Sequence, residues 1–165
     1  MSVDLDTGRV QPMVQTPADE RNAEITPDGR WVAYQSNETG QYEIYVRPFP
    51  DVSSGHWQVS TSGGTRPLWA RNGQELFYVT PIGQLMGVRV DREARWTAGT
   101  PMKLLEGPYF FGGGAFAGRS YDVARDGRRF LMIKPVGGSE RASAPASLVV
   151  VQNWFEELKR LVPVK

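Results

Sequence analysis

Apolar and polar positions alternate along this chain with a period of two, in short runs broken by Asx-Gly and other glycine turns. Three segments align directly: ITPDGRWVAYQ (25–35), WARNGQELFYV (69–79) and VARDGRRFLMI (123–133). Each opens on an apolar residue (Ile25, Trp69, Val123), passes through Asp28-Gly29, Asn72-Gly73 or Asp126-Gly127, and resumes with an apolar pair two residues apart. Those pairs are Val32/Tyr34, Leu76/Tyr78 and Phe130/Met132, and a spacing of two puts both members on one face of a strand. Asx-Gly tolerates positive φ and closes hairpins, so each unit reads as strand, two-residue turn, strand.

Further strands follow. YEIYVRP comes after Thr39-Gly40, QLMGVRV after Ile82-Gly83, and the shorter HWQVS (56–60) and PMKLL (101–105) after those. Four antiparallel strands per unit is the make-up of a propeller blade. The turn residues lie 44 positions apart between the first two units, inside the usual spacing of about 40–45 for blades. They lie 54 apart between the second two, and EGPYFFGGGAFAG (106–118) supplies the excess as an inserted loop.

The expected fold is therefore an all-β propeller of four-stranded antiparallel blades, about three per chain. It divides into an N-terminal hairpin (1–16) turning at Asp6-Thr7-Gly8, blade 1 (22–60), blade 2 (66–105), the Gly-rich insertion (106–118) and an incomplete blade 3 (119–152). Helical spacing occurs only in NWFEELKRLV (153–162), where Trp154, Phe155, Leu158, Leu161 and Val162 share a stripe after the cap Asn153.

The last blade lacks a fourth strand, and the N-terminal hairpin has strands to spare. Propellers close by completing one blade from the other terminus, which removes an exposed sheet edge. Residues 1–30 carry six acidic and three basic groups, and residues 119–141 carry three acidic and six basic, which suits neighbouring strands.

ITPDGRWVAYQSNETGQYEIYVRPFP, with TSGGTRPLWARNGQELFYV and RSYDVARDGRRFLMI, resembles the TolB-like (WD-repeat-like) β-propeller repeats of bacteria. It is similar in particular to the C-terminal propeller part of kinase- or regulator-linked proteins, and LVVVQNWFEELKRLVP resembles their tail. The resemblance covers most of residues 10–163 and implies a fold rather than an activity. Such propellers carry six or more blades. A three-blade arc would leave apolar rows such as Val32/Tyr34 bare at its ends, an exposure that soluble monomers avoid. The expectation is self-association into a six-bladed ring, with a fragment of a longer propeller as the other outcome.

Composition narrows the chemistry. The chain has 165 residues, 40% hydrophobic, with 19 basic and 18 acidic side chains, no cysteine and one histidine. That excludes disulfides, thiol nucleophiles and Cys-based zinc sites. A net charge of +1 and arginines interspersed with acids (Arg89, Arg92, Arg95, Arg119, Arg125, Arg128, Arg129) argue against a nucleic-acid partner. No apolar run reaches bilayer length and the N-terminus is not a signal peptide, so no membrane partner is expected. The chain as given reads as cytoplasmic, or periplasmic if it is part of a larger protein.

On the innermost strands, Glu24, Leu68 and Asp122 occupy one repeat position, and Asn22, Arg66 and Ser120 another. Glu24 and Asp122 are the candidate catalytic or metal-ligating acids, since Ca²⁺ or Mg²⁺ on the channel axis would take carboxylate oxygens in a two-fold ring. The bland alternative is a hydrated channel with Arg66 neutralising the acids. Asn22, Arg66, Arg119 and Tyr121 are the candidate binding residues.

His56 lies beside Trp57 with no Ser-His-Asp arrangement around it, and Gly112–Gly118 precedes a strand rather than the helix a phosphate loop needs. Tyr109, Phe110, Phe111 and Phe116 read as packing or lid residues of that loop. Asp4–Gly8 reads as a hairpin turn rather than a calcium loop, and Asn37-Glu38-Thr39 as a chance glycosylation tripeptide. The leading expectation is a binding module for a protein or small-molecule ligand, with no cofactor. The alternative is a hydrolase of esters, lactones or phosphoesters, with Glu24 and Asp122 as base or ligands and Arg66, Arg119 and Tyr121 stabilising negative charge.

Overall fold

The repeated Asx-Gly segments form three hairpins of one design. In each, the residue before the loop donates its N–H across the hairpin: Thr26 to Trp31 O at 2.8 Å, Ala70 to Glu75 O at 2.9 Å, Ala124 to Arg129 O at 2.8 Å. The Asx Oδ1 accepts the N–H two residues on, from Arg30 at 3.2 Å, Gln74 at 2.9 Å and Arg128 at 3.0 Å. Only the glycine takes positive φ, 70°, 65° and 68° in turn. A two-residue type I′ turn needs both central residues there, so the expected two-residue turn is corrected to a four-residue loop with glycine at its left-handed position.

The computed structural model describes residues 1–91, 96–113 and 117–135. The chain divides into two units, Met1–Pro135 and Val136–Lys165. The expected strand 146–152 and helix 153–162, together with Arg92, Arg95 and Phe116, lie outside the described residues. Those described are all-β, with antiparallel pairing throughout. Among them, no helix is long and apolar enough to cross a membrane.

Strands β1 (Ser2–Val3) and β2 (Val10–Gln11) pair with each other as a separate hairpin sheet. Its turn is the expected one, with Asp4 Oδ1 accepting Thr7 N at 2.8 Å and Thr7 Oγ1 at 2.7 Å. Next comes a four-stranded sheet in chain order: β3 (Glu20–Ile25), β4 (Trp31–Ser36), β5 (Glu43–Pro48) and β6 (Trp57–Gln58). The following sheet holds β7 (Thr65–Trp69), β8 (Glu75–Val79) and β9 (Gln84–Asp91). One end of β9 pairs with β10 (Thr97–Ala98) and the other with β11 (Met102–Glu106). The third repeat is short, β12 (Asp122–Val123) against β13 (Phe130–Leu131), extended by a bridge from Ile133 to Phe110.

The second and third repeats each turn their apolar row toward the sheet before them. Leu76, Tyr78 and Val88 pack on Trp31, Ala33, Ile44 and Val46 of the first sheet. On the opposite face, Phe77, Val79 and Leu85 pack on Tyr121 and Val123, with Phe130 and Met132 partly buried against them. Alternation then turns Leu131 and Ile133 away from the second sheet, and they are 74% and 51% exposed. At the first interface four tryptophans converge: Trp96 lies 5.4 Å from Trp31, 6.2 Å from Trp57 and 5.9 Å from Trp69 between ring centroids.

The bare flank expected on the first sheet is corrected, since Val32 and Tyr34 are each 3% exposed. The β5–β6 connection folds back over that face. Arg47 reaches it through Nη1 to Val52 O at 3.0 Å, and His56 stacks on Tyr45 at 4.9 Å.

Candidate functional site

The first strands of the first two sheets break register at matching places, between Arg21 and Glu24 in β3 and between Thr65 and Leu68 in β7. Each break holds a residue other than glycine in the left-handed region, Asn22 at φ 51° and Arg66 at φ 56°. Asparagine tolerates that conformation because its short side chain can bond locally, whereas an arginine there costs about 1–2 kcal/mol. Both hook onto the fully buried Gln35 of β4, whose Oε1 accepts Asn22 Nδ2 and Arg66 N–H, each at 2.9 Å. One side-chain amide thus joins the two sheets at their first strands.

The third repeat fastens onto the same edge. Tyr121, buried, donates its hydroxyl to Arg66 O at 2.7 Å. Burial pushes that phenol far above its ordinary range. Arg119 forms an ion pair with Glu24 of β3 and also donates to Pro67 O at 3.4 Å and Tyr121 O at 3.1 Å. A single guanidinium therefore touches all three repeats. The residue neutralising Glu24 is Arg119, where the repeat alignment suggested Arg66.

Asp122 is exposed and accepts the N–H of its own neighbour Val123 at 2.8 Å. It lines a depression of about 180 Å³ together with Glu24 and Arg119. The Glu24 carboxylate, one of the two acids expected to face a Ca²⁺ or Mg²⁺ ion, is paired through Oε2 with Arg119. Among the described residues no group of three or more His, Asp or Glu side chains could hold a metal. His56, the one histidine, sits with Nε2 3.1 Å from Glu38 Oε1. Burial, then Arg47, keeps its pKa below the ordinary 6.5 despite that carboxylate.

Arg66 leads to a second feature. Its side chain lines a cleft of about 600 Å³ between the β7 edge, the β8–β9 turn and the start of the insertion loop. The loop is anchored there: Phe110 N–H donates to Ile133 O at 2.8 Å, and Ser120 Oγ donates to Phe110 O at 3.0 Å. The Phe111 ring is buried edge-on to Tyr121, with centroids 6.1 Å apart. Gly112 sits at φ 86°, and a Cβ there would lie 3.5 Å from Arg66 Nη2, so the backbone passes close over the guanidinium.

All six residues singled out from sequence (Asn22, Glu24, Arg66, Arg119, Tyr121 and Asp122) thus belong to one edge, and five are joined by hydrogen bonds. Sequence reasoning missed Gln35 and the Arg66 cleft. A polar residue inside the run WVAYQ was the available signal for Gln35. No family model and no curated protein matches the chain.

Proposed function

We propose that this chain is a run of TolB-like β-propeller blades acting as a non-catalytic binding module, with recognition on the side where the insertion loop meets the first strands. The observation that carries this reading is how the edge's charged and hydroxyl groups are used. Glu24 is paired with Arg119, and the Tyr121 hydroxyl donates to a backbone carbonyl. General acid–base chemistry needs a group free to take or give a proton within hydrogen-bond reach of the reacting atom. A network satisfied internally serves instead to hold a surface rigid. The chain-order stacking of the sheets, each on the one before, supports the propeller part of the reading.

Assay of chromogenic carboxyl and phosphate esters tests the non-catalytic claim. No turnover above the buffer rate is expected, and turnover abolished by Glu24→Gln would overturn it. Within the same reading, a second copy closes the ring against the row bearing Leu131 and Ile133. Its opposite partner face would be the β5–β6 connection that covers Tyr34 and Tyr45. Light scattering tests this part alone: a dimer mass is expected, and a monomer at micromolar concentration removes the ring while leaving the cleft.

A further inference from the structure

We infer that the face formed by the three Asx-Gly loops is a docking surface for an acidic protein segment, with Arg30 and Arg128 as the charged walls of its groove. This surface is separate from the recognition side proposed above and does not depend on it. Strands β3 and β7 pass Asn22 and Arg66 first and run out at their other ends into these loops.

The first support is that the loops come together. A groove of about 860 Å³ is bounded by Arg30 of the first loop, Asn72 and Gln74 of the second, and Arg128 of the third. The third loop abuts the second, since a Cβ on Gly127 would lie 3.8 Å from Glu75 Oε2.

The second support is that acids and arginines are used differently here. Asp28 Oδ1 accepts from Thr26 Oγ1 at 2.6 Å and from Arg30 N–H at 3.2 Å. Asp126 accepts from Arg128 N–H and Arg129 Nε, each at 3.0 Å, and Glu75 Oε1 lies 4.0 Å from Arg89 Nε. These carboxylates serve their own loops and strands. Arg30, Arg71, Arg125 and Arg128 are exposed, and among the described residues their guanidinium groups have no ion pair or hydrogen bond. Each can donate two parallel hydrogen bonds to a carboxylate.

The third support is that the loop fold does not call for arginine. Where the first and third repeats have Arg30 and Arg128, the second has Gln74, whose N–H makes the same bond to the Asx residue at 2.9 Å. Where the second and third have Arg71 and Arg125, the first has Pro27. Every loop nonetheless carries at least one of these exposed arginines.

The mixture of charges selects the partner. Glu75 and Asp91 share the groove wall with the arginines, so the dense, even charge of a nucleic-acid backbone would set phosphates against them. A peptide can place carboxylates opposite Arg30 and Arg128 and uncharged residues opposite the acids. Its main-chain groups then meet the side-chain amides of Asn72 and Gln74, which both donate and accept.

The test is fluorescence anisotropy at low ionic strength with the full chain. The labelled probes are a peptide alternating glutamate and glycine, its glutamine–glycine counterpart, and an oligothymidylate of the same length. Saturable binding of the glutamate peptide is expected, weakening as salt is raised, with none of the glutamine peptide. Arg30→Gln with Arg128→Gln should weaken it about 2- to 30-fold, the range for two exposed ion pairs. Glutamine already stands at this position in the second loop, so the double variant keeps the loop bonds. Arg9→Gln with Lys134→Gln, which removes the same charge from exposed positions outside the loops, should weaken binding less. An equal loss in that second double variant overturns the loop face as the docking site. Tighter binding of the oligothymidylate overturns the partner class. Absent saturable binding of the glutamate peptide, or equal binding of the glutamine one, overturns the surface.

Discussion

Replacing Arg119 by methionine tests the link between sequence repeat and packed edge. The substitution keeps the stem and removes the guanidinium, which orphans Glu24 and releases the Pro67 and Tyr121 carbonyls. The two side chains are 29% and 28% exposed, between a surface pair and a buried one. Exposed pairs contribute about 0.2–1 kcal/mol, and breaking a buried pair costs about 3–5 kcal/mol. An intermediate loss of about 2 kcal/mol follows, which lowers Tm by roughly 4–8 °C in a chain of this size. Urea unfolding followed by tryptophan fluorescence reads the change as a shift in midpoint at constant slope. The partner variant Glu24→Gln and the double variant complete a cycle, with an expected coupling of about 1 kcal/mol. A cycle additive to within about 0.3 kcal/mol would refute the reasoning, because Arg119 would then act without Glu24.

Three further outcomes follow from the packing. Trp96→Ala, which removes the ring common to three tryptophan contacts, should cost about 3–5 kcal/mol and shift the emission spectrum, and a loss under about 1 kcal/mol would contradict the cluster. Gln35→Ala should speed hydrogen exchange at the Arg66 amide, which loses its acceptor, and unchanged exchange there would contradict the hook. Tyr78 is pushed up to about 12 by burial, then by Glu43, so its neutral form is favoured by folding. Its contribution is full below the unfolded phenol value of 10.0 and is lost as pH rises through about 12. Difference absorbance should show it titrating after the exposed tyrosines, and Tyr78→Phe should flatten the alkaline stability profile.

The hairpins and their order were legible because the Asx-Gly turns and the period-two rows are local properties. Gly29, Gly73 and Gly127 take the left-handed conformation their positions require, and β5 and β9 fall on YEIYVRP and QLMGVRV to within a residue at either end. The turn length was misjudged because Asx-Gly fits several loops, and only the Asx φ distinguishes them. Neither the four-tryptophan cluster nor the Gln35 hook could be read locally, since each joins residues from two sheets. The pairing of Glu24 with Arg119 is of the same kind, spanning 95 positions. Loop 49–56 covering Tyr34 and Tyr45 upset the flank argument because repeat alignment describes strands and says nothing of how a connection folds back.

Ester turnover by the chain tests most directly the claim that this edge is satisfied internally and is not catalytic. No rate above buffer is predicted for carboxyl or phosphate esters, with Glu24 held by Arg119. A rate above buffer that Glu24→Gln abolishes would contradict the account.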